Sequence, residues 1–149
     1  MTELIYHMCQ SSLFNEAMKE QRDYFPPTYA QDGFIHATAH PSLLIEVANH
    51  FYQETIGKAL LLLLTHSYME RVGDWICLEI DPRLLRKGPQ SVVYEAAAPV
   101  GDKESFHHSD DASAQKFPHI YSGINPESVV RTFPIIRSGD GSFVAIDGL

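Results

Sequence analysis

Gly33-Phe34-Ile35-His36-Ala37-Thr38 is a short apolar run with a histidine where an aliphatic residue would ordinarily stand. Ile5-Tyr6-His7-Met8 and Phe117-Pro118-His119-Ile120-Tyr121 share that design. Asp32-Gly33 ahead of the first is a turn signal, and apolar runs this short read as strands. Strand residues alternate between two faces. His7, His36 and His119 must therefore share a layer with large side chains or face a pocket between layers. Imidazole titrates near neutrality and can donate, accept or bind metal. The plain alternative for each is a structural histidine bonded to a backbone carbonyl. Recurrence on three separate strands makes a common site the reading to test.

Outward from these runs, the chain opens with a strand over Leu4 to Met8. Ser11 or Ser12 is positioned to cap a helix carrying Leu13, Phe14, Ala17 and Met18 on one face. Pro26-Pro27 predicts the end of that helix near Tyr24. Phe34 to Ala37 is the second strand. Pro41 suits the first position of a helix whose stripe is Leu44, Val47, Ala48 and Phe51. Leu60 to Leu64, inside Thr55 to Arg71, fits a buried strand or a buried helix by period, and leucine's preference tilts the expectation to helix. Trp75 to Ile80 is a strand with Ile76, Leu78 and Ile80 on one face and Trp75, Cys77 and Glu79 on the other. Asp81-Pro82 ends it, Leu84-Leu85 marks a helical turn, and Ser91 to Glu95 is a further strand.

Ala96 to Lys116 is a long polar loop, of a length that is either functional or poorly ordered. It carries His107-His108-Ser109-Asp110-Asp111, for which a solvated loop is favoured over a metal site. Asn125-Pro126 looks like the cap and first residue of a helical turn. Val129 to Ile136 is expected to pair with Ser142 to Ile146 across Gly139-Asp140-Gly141. No internal repeat appears. Strands and helices alternate without a βαβ rhythm and the tail is a hairpin, which argues for an α+β fold.

The 149 residues predict a single domain, 1–149, with one core. Eleven Lys and Arg against nineteen Asp and Glu give a formal charge of −8. Phosphate backbones are held mainly by cations, so no long nucleic acid is expected as a partner. Cys9 and Cys77 sit in apolar strands and read as reduced core residues. No signal peptide is visible after Thr2-Glu3. Ala59 to Leu64 is far shorter than the ~20 apolar residues that span a bilayer. No membrane association and a cytoplasmic location are the expectations.

Taken in order, Ile5-Tyr6-His7, Asp32-Gly33-Phe34-Ile35-His36-Ala37-Thr38, Val47-Ala48-Asn49, Leu78-Glu79-Ile80-Asp81-Pro82, Tyr94-Glu95 and Phe117-Pro118-His119-Ile120-Tyr121 resemble the family known as domain of unknown function 952. The resemblance covers nearly the whole chain, with 55–73 looking like an insertion. That family is grouped with folds similar to the ADP-ribosyltransferases and the RNA 2′-phosphotransferases. The resemblance implies a split, strongly bent antiparallel sheet with flanking helices and a nucleotide cleft between its halves. Such enzymes use a strand-one His or Arg, a second-strand Tyr or His followed by Ser or Thr, and sometimes a later glutamate. His7 matches the first element, His36 with Thr38 resembles the second, and Glu95 stands loosely for the third. No Arg flanks His7, unlike the Arg-His pair of the RNA phosphotransferases, and Phe117-Pro118-His119-Ile120-Tyr121 has no clear transferase counterpart.

The resemblance implies a small nucleotide-type ligand, with NAD as substrate rather than resident cofactor. His7, His36, His119 and Glu95 are the catalytic candidates, Glu95 steadying oxocarbenium-like charge or binding a ribose hydroxyl. Tyr6, Phe34, Thr38 and Tyr121 are the binding candidates, through ring stacking or a hydroxyl. Core packing is the plain alternative for the aromatics, and an exposed strand-end carboxylate for Glu95. A second reading is a catalytically silent module holding a nucleotide or anionic metabolite. A third, less favoured, is a zinc site of three imidazoles with an open position. Thr38 just before the helix at Pro41 suggests that His36, Thr38 and the first helical amides hold a phosphate or ribose.

Overall fold

The computed structural model describes residues 3–52, 75–98, 116–138 and 142–149. The expectations for 55–73, for the His107-His108-Ser109-Asp110-Asp111 stretch and for the Gly139-Asp140-Gly141 turn lie outside them. The elements run β1 (Ile5–Gln10), α1 (Ser11–Lys19), α2 (Tyr29–Asp32), β2 (Ile35–His36), α3 (Pro41–Tyr52), β3 (Trp75–Ile80), β4 (Val92–Ala96), β5 (Lys116–Ile120), β6 (Val129–Arg137) and β7 (Phe143–Ile146). Short 3-10 turns lie at Pro82–Leu84, just ahead of the turn expected at Leu84-Leu85, and at Pro126–Ser128, where Asn125-Pro126 signals one. The strands form two antiparallel groups, a four-stranded sheet in the order β1-β3-β6-β7 and a three-stranded sheet in the order β2-β5-β4. The α+β class and the terminal hairpin stand, the latter pairing Ile135 with Ile146 and Ile136 with Ala145. Among the described residues no helix is long and apolar enough to cross a membrane.

The β1–β3 part of the larger sheet is buried on both faces, and the alternation along β3 shows how. Ile76, Leu78 and Ile80 join Ile5, Cys9, Phe14, Ala17, Ile35 and Ile120 in a core between this sheet, α1 and the second sheet. Trp75 and Cys77 point the other way, into a core with Met8, Phe133, Ile135, Phe143 and the α3 residues Leu44 and Ala48. Full burial of a side chain such as Leu44 contributes roughly 1.5–3 kcal/mol. Cys9 and Cys77 thus belong to different cores and are free thiols.

Helix α1 departs from expectation at both ends. Gln10, not a serine, is the N-cap, and it makes no side-chain capping bond. The helix stops at Lys19, well before Tyr24. Gln21 takes a left-handed conformation with φ 54°, and the amides of Gln21 and Arg22 return to the carbonyls of Met18 and Ala17. That hydrogen-bond pattern is a Schellman ending, here without the usual glycine. Tyr24 then pairs with Ile124 through two backbone bonds of 2.8 and 3.0 Å, leading the chain back across the end of β1.

Among the described residues one backbone bridge joins the two sheets. Tyr6 and Thr38 exchange both backbone hydrogen bonds at 2.8 Å, forming an isolated antiparallel bridge between the ends of β1 and β2. An antiparallel ladder continued from there would next set Met8 against His36. It does not continue, and the sheets part from that point.

Candidate functional site

His7 occupies the parting. Its Nδ1 lies 2.6 Å from the His36 carbonyl oxygen, the acceptor that a continued ladder would have given to the Met8 amide. A carbonyl can only accept, so Nδ1 carries the proton and donates it. A side chain has replaced a backbone bond where the strands part. His7 is 5% exposed, and its Nε2 has no protein partner. Burial pushes the imidazole down to about 4, against the opposing pull of the His36 carbonyl, so the ring is neutral at pH 7.

Beyond the parting lies a cleft of about 200 Å³. It is lined by His7 to Gln10 of β1, Leu13, Tyr24, Pro26, Pro27, Thr28, His36 and Trp75. Among the described residues no Lys, Arg, Asp or Glu lines it. The Tyr24–Ile124 bridge and the α2 turn carry the Tyr24 to Thr28 wall. Gly33, at φ 80°, ends α2 in the left-handed region and returns its amide to Tyr29, sending the chain into β2.

His36 joins this cleft to a second cluster of rings. Its Nε2 is 3.0 Å from Asp32 Oδ2, a carboxylate whose side chain is only 7% exposed. Burial lowers the His36 pKa, while Asp32 acts to raise it. Opposite His36 on the paired strand stands His119, with ring centroids 5.5 Å apart. Phe34 stacks on His119 at 4.2 Å and 22°, with Tyr121 at 5.3 Å from the same phenyl ring. His119 is 1% exposed, and its Nδ1 lies 3.6 Å from Glu95 Oε2, beyond hydrogen-bond reach. Burial, and then the neighbouring His36, lower the pKa of His119. Glu95 instead accepts the Tyr121 hydroxyl at 2.7 Å, which raises the pKa of that phenol.

The candidates thus divide. His7 and His36 line the cleft. His36, His119, Phe34, Tyr121 and Glu95 form a ring cluster on the second sheet, with His36 common to both groups. Thr38 stands apart: it is buried and its hydroxyl donates to the His40 carbonyl at 3.1 Å. That bond takes its only proton away from the suggested phosphate site. Tyr6 follows from strand alternation onto the opposite face of β1 from His7, where it donates to Glu79 at 3.1 Å. Glu79, 1% exposed, is also held by Arg131 at 2.8 and 3.1 Å. Asp32, in the sequence half of a turn signal, is a carboxylate beside His36 that the sequence reading does not single out. Its place four residues before His36 was the available clue. Among the described residues no three His, Cys, Asp or Glu side chains are grouped as a metal ion needs.

The fold has solved relatives. The crystal structure of protein CC0527 from Caulobacter crescentus superposes with a TM-score of 0.60 at 17% identity, covering 95% of this chain and 93% of that one. Its solution NMR structure gives a TM-score of 0.50 at 21% identity over 100% and 94%. These likenesses concern the fold alone. No curated protein matches the sequence. Residues 8–132, which hold His36 and His119 but not His7, match the family described as protein of unknown function, DUF952. The chain belongs to that family.

Proposed function

We propose that this chain binds a nucleotide-type small molecule, with NAD the first candidate, by taking one ring of it into the cleft where the sheets part. The observation that carries the reading is neutral His7 at the parting, with one nitrogen spent on His36 and the other unpartnered. The two sheets, their antiparallel orders and the cleft between them agree with an ADP-ribosyltransferase-like arrangement. So does the order strand-one His7, then second-strand His36 followed by Thr38. Fold analogy alone does not confer an activity, so the residues must carry the rest.

Size limits what enters. Whole-ligand pockets run to roughly 300–1,000 Å³, so a cleft of about 200 Å³ takes one ring and leaves phosphates outside. That no cation among the described residues lines it agrees with that orientation. A transferase also needs negative charge near the departing glycosidic bond. Glu95, the carboxylate candidate for that task, is turned to Tyr121 and does not line the cleft. That placement favours a second reading, a module that binds the nucleotide without breaking it.

Calorimetry with NAD, ADP-ribose and AMP, coupled to chromatography for released nicotinamide, separates the readings. Saturable NAD binding weakened at least tenfold by His7→Ala is the expected result. Nicotinamide release marks the enzyme, and binding without release marks the module. No binding of any of the three would refute both.

A further inference from the structure

We infer that the cleft selects a planar ring that carries no negative charge and bears an N–H donor on one edge, as an amide, lactam, imide or amino-substituted base does, which it receives on Nε2 of His7. The inference rests on the proposal that a ring enters this cleft, and goes further by naming the group that is recognised. Because the His36 carbonyl fixes the proton on Nδ1, Nε2 presents a lone pair and no hydrogen. It is an acceptor by construction. It is also one of two side-chain polar atoms among the described residues that are buried without a hydrogen-bond partner. A buried acceptor of this kind is complemented by a donor, and its desolvation has already been met in folding.

The walls narrow the choice of donor. Met8, Leu13, Pro26, Pro27 and Trp75 offer flat or apolar surface suited to the faces of a ring. A sugar would bring several hydroxyls, each needing a partner, to walls whose surface is mostly apolar and whose polar side chains are Gln10, Tyr24, Thr28 and the two histidines. An anion fares worse, since no cation among the described residues lines the cleft to replace its water. Bases and pyridine carboxamides with an N–H on one edge remain.

The test uses ¹⁵N-labelled wild-type protein and two matched pairs of probes, uracil with 1,3-dimethyluracil and nicotinamide with nicotinate. Long-range ¹H–¹⁵N correlation should show His7 with the proton on Nδ1. Uracil and nicotinamide should each shift the Nε2 resonance. Dimethyluracil and nicotinate should bind at least ~10-fold more weakly, the expected penalty for leaving the acceptor unpaired or burying a charge. His7→Phe should erase the preference for uracil over its dimethyl form. A proton on Nε2, equal binding within either pair, or no binding of any ring at millimolar concentration would overturn the inference. If NAD binds with Nε2 unmoved, the inference fails while the nucleotide reading stands. If the free rings bind as described and NAD does not, the reverse holds.

Discussion

The buried imidazole of His7 couples this protein's stability to pH. The ordinary histidine pKa of 6.5 is lowered to about 4 at His7, chiefly by burial. Below 6.5 the unfolded chain takes up a proton that the folded chain refuses. Stability is therefore complete above 6.5 and declines as pH falls towards 4, by about 3 kcal/mol from this residue. Burial also lowers the pKa of His36 and His119, adding loss in the same direction. Urea denaturation across that window should show the decline, and His7→Phe should make it shallower. An unchanged slope would mean that the His7 imidazole stays solvated. Asp32→Asn tests the neighbouring pair: without the carboxylate, His36 should titrate at still lower pH. Its NMR titration curve reads this directly. At this scale the sequence was informative, because a histidine inside an apolar run stands out. Which nitrogen is free was not, since that depends on a carbonyl 29 residues away.

The elements were readable wherever a local rule governs them. Pro41 starts α3, Asp81-Pro82 ends β3, and the β3 alternation sorts its residues between two cores. The end of α1 was not readable, because Gln21 adopts a left-handed conformation usually marked by glycine. Nor was the fastening of β7, an edge strand that local pattern leaves free. Asn49 of α3 reaches it with both ends of its amide, donating to the Phe143 carbonyl at 3.0 Å and accepting from the Phe143 amide at 2.8 Å. Asn49→Ala should cost about 1–3 kcal/mol. Hydrogen exchange should also quicken at Phe143 ahead of the rest of the sheet. Gly123 shows the same kind of non-local constraint. A Cβ there would lie 2.6 Å from Phe25 Cζ and 2.8 Å from Asp23 Cβ. Gly123→Ala should destabilise by ~1–3 kcal/mol in chemical denaturation, because the segment leading to the cleft wall must shift.

Across the whole molecule, the Tyr6–Thr38 bridge is where the two sheets join, and the cleft begins beside it. A ligand held there should slow amide exchange at Tyr6 and Thr38. At ~100 times its dissociation constant it should also add ~2.7 kcal/mol of stability. Binding that leaves these amides unchanged would place the ligand elsewhere. Strand positions, the terminal hairpin, the α+β class and the three unusual histidines all follow from residue patterns a few positions long. Periodicity and turn chemistry act over that range. The order of the sheets, the separation of Tyr6 and Thr38 from the cleft, and the pairing of Glu95 with Tyr121 arise only on folding. Each joins residues through strand pairing or side-chain contact between distant segments, and no local preference encodes such a partner. The cleft belongs to this second class: it exists because a side chain on β1 took the hydrogen bond that a backbone amide would have made to β2.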